Sequence, residues 1–137
     1  MILVDTNVWI DLIERDPVWL DWSLAQVMRV RTEQQAVAIN PVIYAELAPT
    51  YDSPEALAHF VRLSGAQMMP LSAASAWAAG RAFLSYRQRK GGKTGVLPDF
   101  FIGAQAQAEG WTLLTRDATR YRTYFPSVSL ICPDATG

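Results

Sequence analysis

The chain is broken into apolar runs of three to five residues, and these alternate with longer segments whose apolar positions recur at helical spacing. Runs this short suit strands, and the alternation constrains the fold more than any other feature. Strand, helix, strand in repeated order implies right-handed crossovers and a mostly parallel central sheet flanked by helices on both faces, an α/β fold. Residues 1–4 form the first strand, and Thr6-Asn7 starts a helix that carries Val8, Trp9, Leu12 and Ile13 inward. Asp16-Pro17 stops that helix and opens a second one. Residues 36–39 are the second strand. Asn40-Pro41 caps a helix over 42–47, and Ser53-Pro54 starts another that Gly65 ends. Residues 67–71 are a third strand, held to an edge by Pro70, and Ser72 caps a long alanine-rich helix to about Arg89. After the glycine-rich loop 91–95, Leu97-Pro98-Asp99 leads into an apolar helix over 100–108, closed by Gly110. Residues 111–115 are a strand, 118–125 are helical and 128–132 are the last strand. No repeat divides the sequence, so 1–137 reads as one domain.

Half of the 137 residues are apolar, ample for one packed core. The first apolar run meets Asp5 almost at once and lacks a basic flank, which argues against a secretion signal. No stretch approaches the roughly 20 apolar residues of a membrane-spanning helix. The expectation is a soluble, cytoplasmic protein. Cys132 is the only cysteine, which excludes an internal disulfide and a thiolate metal cluster, and it reads as a buried packing residue. Charge is nearly balanced but unevenly placed. Nine acids face three arginines between Asp5 and Glu55, whereas six basic residues and no acid lie between Ala56 and Pro98. Arg81, Arg87, Arg89 and Lys90 are either the solvated face of a helix or phosphate contacts.

The chemistry lies in four acids. Ligands of open parallel sheets bind beyond the carboxyl ends of the strands, where loops and helix amino termini converge. Asp5 and Asp117 each follow a short apolar run and open a helical segment, so two strands present an acid on one rim. Asp99 opens a helix after Pro98, and Glu46 lies in the short helix after residue 39. Each acid alone has a duller explanation: Asp5 and Asp117 as helix caps, Glu46 as a surface residue, Asp99 as a loop-to-helix junction. Their joint placement is more telling. Crowded carboxylates repel one another, and a hard divalent cation, magnesium or manganese, satisfies such a cluster while leaving room for waters and a substrate phosphate. The chemistry this predicts is phosphodiester hydrolysis.

Val4-Asp5-Thr6-Asn7, Glu46 within Val42-Ile-Tyr-Ala-Glu-Leu47, Pro98-Asp99-Phe-Phe-Ile-Gly-Ala104 and Leu113-Leu-Thr-Arg-Asp117 together resemble the PIN domain, especially its VapC toxin branch. Tyr121, Phe125-Pro126 and the closing strand before Pro133 are similar to the carboxyl-terminal pattern of that family. The resemblance implies a magnesium- or manganese-dependent endoribonuclease in which Asp5, Glu46, Asp99 and Asp117 hold the metal and position the attacking water. It also implies supporting roles: Thr115 near the metal or the scissile phosphate, Asn7 bracing the acids, Thr6 beside them, Arg116 on phosphate. Its partners would be RNA, a second copy in a homodimer, and a small antitoxin whose carboxyl-terminal segment covers the site. Phe100, Phe101 and Gln105 depart from the smaller aliphatic residues frequent in the family.

Other signals are weaker. Gly91-Gly92-Lys93-Thr94 lacks the upstream glycine and strand of a P-loop, so a solvent-exposed connection is the better account of it and of Lys90 and Lys93. His59, the only histidine, stands mid-helix with no acid or nucleophile at a meaningful spacing and reads as a surface or packing residue. Most of Trp9, Trp19, Trp22, Trp77 and Trp111 read as core or dimer contacts. Two rivals to the nuclease remain. A phosphatase forming an aspartyl-phosphate at Asp5 would want a second acid near Asn7, and a non-catalytic RNA-binding module would have no reason to keep all four acids.

Overall fold

The computed structural model describes residues 1–89, 91–92 and 95–133. It contains a five-stranded sheet in the order β3-β2-β1-β4-β5, with every pairing parallel. Strand β1 (Ile2–Val4) is central, between β2 (Val37–Ile39) and β4 (Thr112–Leu114); β3 (Gln67–Met68) and β5 (Leu130–Ile131) are the edges. All three residues of β1 and of β2 are buried. Because successive side chains of a strand point to opposite faces, both faces of the sheet centre are covered, as parallel sheets require.

Seven helices do the covering among the described residues: α1 (Thr6–Ile13), α2 (Leu20–Thr32), α3 (Pro41–Leu47), α4 (Pro54–Ser64), α5 (Ala73–Gln88), α6 (Leu97–Glu109) and α7 (Thr119–Tyr124). The predicted α/β architecture stands, with shifted ends. The second helix begins at Leu20 rather than at Pro17, because Asp16 Oδ1 first accepts from the amides of Val18 and Trp19 and forms a separate turn. The strands expected over 67–71 and 128–132 shrink to two residues each. Each has a partner on one side only, and β3 is exposed besides. The predicted caps hold: Asn40, Ser53 and Ser72 each accept an amide of the first turn, and Gly65 and Gly110 close α4 and α6 with φ of +76° and +70°.

The α1 helix is seated by Trp9, which is buried and donates its indole N–H to the Val4 carbonyl at 3.1 Å. Phe100 in α6 centres an aromatic cluster with Phe83, Tyr86, Tyr124 and Phe125. Gly103 lets α6 approach that cluster, since a Cβ there would stand 2.3 Å from Phe125 Cδ2. Gln105 is structural: it accepts from Asn40 Nδ2 at 2.9 Å and donates to the Pro70 carbonyl at 3.0 Å, tying α6 to the exits of β2 and β3. Cys132 is half-buried rather than buried, and its Sγ accepts from Arg122 at 3.2 Å. His59 is exposed, and so is Trp77, whose ring carries the Arg81 guanidinium instead of entering the core. Arg87 and Arg89 likewise lie exposed over the rings of Phe83 and Tyr124, while Lys90, Lys93 and Thr94 fall outside the described residues. Among the described residues no helix is long and apolar enough to cross a membrane.

Candidate active site

The register of the central strands builds the site. Val4 pairs with Leu114, and the Asp5 amide donates to the Leu114 carbonyl at 2.8 Å, so the chain leaves β1 and β4 side by side, with Asp5 and Thr115 as neighbours. Asp5 takes extended backbone angles and caps α1, its Oδ1 accepting from the Thr6 amide at 2.7 Å. The dull reading of Asp5 as a cap is thus correct, but it does not account for the other oxygen. Oδ2 accepts from two hydroxyls, Thr115 at 2.8 Å and Tyr121 at 2.9 Å. Three donors converge on a carboxylate that is only 4% exposed.

Asp117 follows on the loop after β4, exposed to solvent; Ala118, not Asp117, occupies the cap position of α7. Asp99 lies within the first turn of α6 rather than at its start, since Leu97 and Pro98 are already helical. Asp5, Asp99 and Asp117 line one cleft of about 300 Å³, together with Asn7, Arg120 and Tyr121. Glu46 belongs to a neighbouring apolar groove beside Val42, Leu97, Pro98 and Phe101, and it joins the acids through Thr6, whose hydroxyl donates to Glu46 Oε1 at 2.7 Å.

The electrostatics mark these acids as a coupled group. Burial, opposed by the Thr115 bond and reinforced by the charge of Asp99, pushes Asp5 up to about 6. Glu46 is raised by burial and by Asp99, and Asp99 is raised by burial and by Asp117, against the lowering effect of Arg120. Tyr121 is held well above its ordinary value, first by burial and then by the negative charges around it, so its hydroxyl remains a donor to Asp5.

The supporting residues divide. Thr115 Oγ1 accepts from the Asp117 amide at 3.1 Å while donating to Asp5, which fixes two acids through one hydroxyl. Asn7, expected to brace the acids, donates to Thr115 and accepts from the Arg116 amide, both at 3.3 Å, which ties the loop after β4 to α1. Arg116, expected on phosphate, instead gives its Nε to Asp11 Oδ2 at 2.9 Å and lies over Trp19. Two residues near the site went unread in the sequence, while Tyr121 was read only as part of the family's carboxyl-terminal pattern. Arg120 follows Asp117 at helical spacing, so the α7 pattern could have flagged it. Asp11 stands among apolar residues of α1 and gave no signal.

Among the described residues, no group of three or more histidine, cysteine, aspartate and glutamate side chains is arranged to hold a metal ion as it stands. Arg120 Nη1 reaches Asp99 Oδ2 at 2.5 Å, the one ion pair made to the four acids among those residues. The donor set itself is all oxygen, crowded and partly desolvated, which is the chemistry of a hard cation site.

A model of the PIN domain matches residues 2–126. The chain belongs to the PIN-domain family. Solved structures share this PIN fold over nearly all of both chains. A chain of VapBC2 from Rickettsia felis, bound to a DNA fragment from the promoter, superposes with a TM-score of 0.72 at 21% identity, covering 98% of this chain and 100% of that one. For DNA-bound VapBC from Salmonella typhimurium the values are 0.69 and 17%, with 96% of each chain covered. For a toxin-antitoxin complex from Klebsiella pneumoniae they are 0.59 and 24%, with 93% and 95% covered. No curated protein matches this PIN domain.

Proposed function

We propose that this PIN domain is a metal-dependent endoribonuclease and the toxin of a VapBC-type toxin-antitoxin pair. The observation that carries the reading is the convergence of Asp5, Asp99 and Asp117 on one cleft, with Glu46 linked to them through Thr6. That similar structures are VapBC and toxin-antitoxin complexes supports the toxin reading. Asp5, Glu46, Asp99 and Asp117 would hold Mg²⁺ or Mn²⁺, which when bound supplies Lewis-acid polarisation of the phosphate and lowers the pKa of water. The protein's own residues do the rest. Thr115 and Tyr121 keep Asp5 oriented and, as hydroxyl donors, favour its ionised form. Thr6 does the same for Glu46. Asn7 holds the Thr115–Arg116 turn, and Arg116 serves as a brace through Asp11.

Incubation of purified protein with total RNA, with Mg²⁺ or Mn²⁺ and with chelator, tests the reading. Metal-dependent cuts at defined positions are expected, lost in Asp5→Asn. RNA binding that neither chelator nor Asp5→Asn alters, without cleavage, would establish the binding-module alternative instead. Coexpression with candidate small proteins tests the antitoxin, with a stable complex and silenced cleavage expected from one of them. Light scattering of the free protein tests the homodimer.

A further inference from the structure

We infer that Arg120 is a two-position cation, resting on Asp99 while the acids hold no metal and passing to a phosphate of the RNA once they do. The inference rests on the nuclease reading and deepens it. Arg120 stands at the second residue of α7, on the wall of the cleft that Asp5, Asp99 and Asp117 line. Its contact with Asp99 is a single one, through Nη1. A guanidinium carries five donors in a planar fork suited to phosphate, and among the described residues Arg120 makes one hydrogen bond with it, to Asp99. The group is about a quarter exposed and sits 5.9 Å from the centroid of the Tyr86 ring, which keeps it over the cleft without fixing it there.

Charge dictates the exchange. Asp99 cannot serve a guanidinium and a divalent cation equally well, because the two positive charges would stand within a few ångströms of each other and repel. Binding of the cation therefore releases Arg120, and the new anion within its reach is the phosphate that the same acids and cation draw in. The residue thus opposes metal binding in the resting protein and assists substrate binding in the loaded one. A merely structural arginine would not act in opposite directions on the two ligands.

The test uses the full chain with Arg120→Ala and Arg120→Lys. Calorimetric titration with Mn²⁺ alone, without RNA, should show Arg120→Ala binding the ion about two- to fivefold more tightly than the parent, the range set by loss of a partly exposed ion pair. Arg120→Lys, which keeps the charge, should stay within about twofold of the parent. With Mn²⁺, KM for a short single-stranded oligoribonucleotide should rise about tenfold or more in Arg120→Ala and by less in Arg120→Lys, as for a lost charged phosphate contact. In chelator, where the guanidinium stays on Asp99, fluorescence anisotropy should give the same RNA affinity for parent and Arg120→Ala. Unchanged or weaker Mn²⁺ binding by Arg120→Ala overturns the inference, as does an equal loss of RNA affinity with and without metal. A parent protein that neither binds Mn²⁺ nor cleaves RNA refutes the nuclease reading itself, so the two failures are distinguishable.

Discussion

Replacement of Arg116 by alanine tests whether the loop carrying Asp117 is anchored from beneath. Asp11 is fully buried; its Oδ2 takes Ser23 Oγ at 2.7 Å and Arg116 Nε at 2.9 Å, and its Oδ1 has no hydrogen-bond partner among the described residues. Removing the guanidinium leaves a buried carboxylate held by one hydroxyl. Breaking such a pair costs about 3–5 kcal/mol when both partners are buried. The Arg116 side chain is 29% exposed, so water screens part of the attraction, while its packing over Trp19 is lost as well. A net loss of about 2–4 kcal/mol follows, a large share of the roughly 5–15 kcal/mol that hold a domain folded. Urea unfolding followed by circular dichroism reads it directly, and a cycle with Asp11→Ala isolates the pair. A coupling of about 2 kcal/mol is expected. A loss below about 1 kcal/mol with coupling near zero would refute the brace. If Arg116→Ala also reduced the salt dependence of RNA binding, the phosphate contact implied by the sequence would be restored.

Three further perturbations probe the same framework. Asp5 is held at about 6 in the fold against 3.8 for an ordinary aspartate, so its stabilisation is complete below the lower value and gone above the higher. In chelator the urea midpoint should therefore fall as pH rises from 4 to 7, corresponding to about 2 kcal/mol of stability lost from this group. Asp5→Asn should flatten that slope, and a midpoint that rises over the same range would contradict the assignment. Tyr121→Phe removes one of the two hydroxyls on Asp5 Oδ2 and should cost about 1–2 kcal/mol in thermal unfolding, whereas no measurable change would mean that Thr115 alone suffices. Gly103→Ala drives a methyl into the Phe125 ring, and the resulting strain, about 1–3 kcal/mol, outweighs the helix propensity gained; a higher melting temperature would show that the ring can retreat.

The acids themselves were legible because local rules fix them. A short apolar run followed by Asp5-Thr6-Asn7 dictates strand, cap and helix within a few residues, and Leu113-Leu114 before Thr115 repeats the pattern at β4. Parallel pairing then brings the two strand ends together without further instruction. Asp99 was readable for the same reason, as an acid in the first turn after a proline, although its place was one of the first helical residues and not the opening one. Edge strands were overestimated, since apolar runs over 67–71 and 128–132 show β propensity but not how many residues find a partner; two in each did.

The partners of the acids were not legible, and the arginines show why. The family resemblance implied a phosphate role for Arg116, yet Asp11, 105 residues away, holds its guanidinium. Arg120 lies 21 residues from the Asp99 it neutralises. Nothing in spacing encodes these pairings: they depend on how α1, α6 and α7 seat around the β4 exit, and that seating is set by Trp9 on Val4, Gly103 under Phe125 and the cluster around Phe100. An acidic site therefore announces its acids locally and its counter-charges only through packing. By the same logic a substitution in the aromatic cluster, such as Phe125→Ala, should disturb the Arg120–Asp99 pair without touching any acid. Core and site are coupled here through the placement of two arginines.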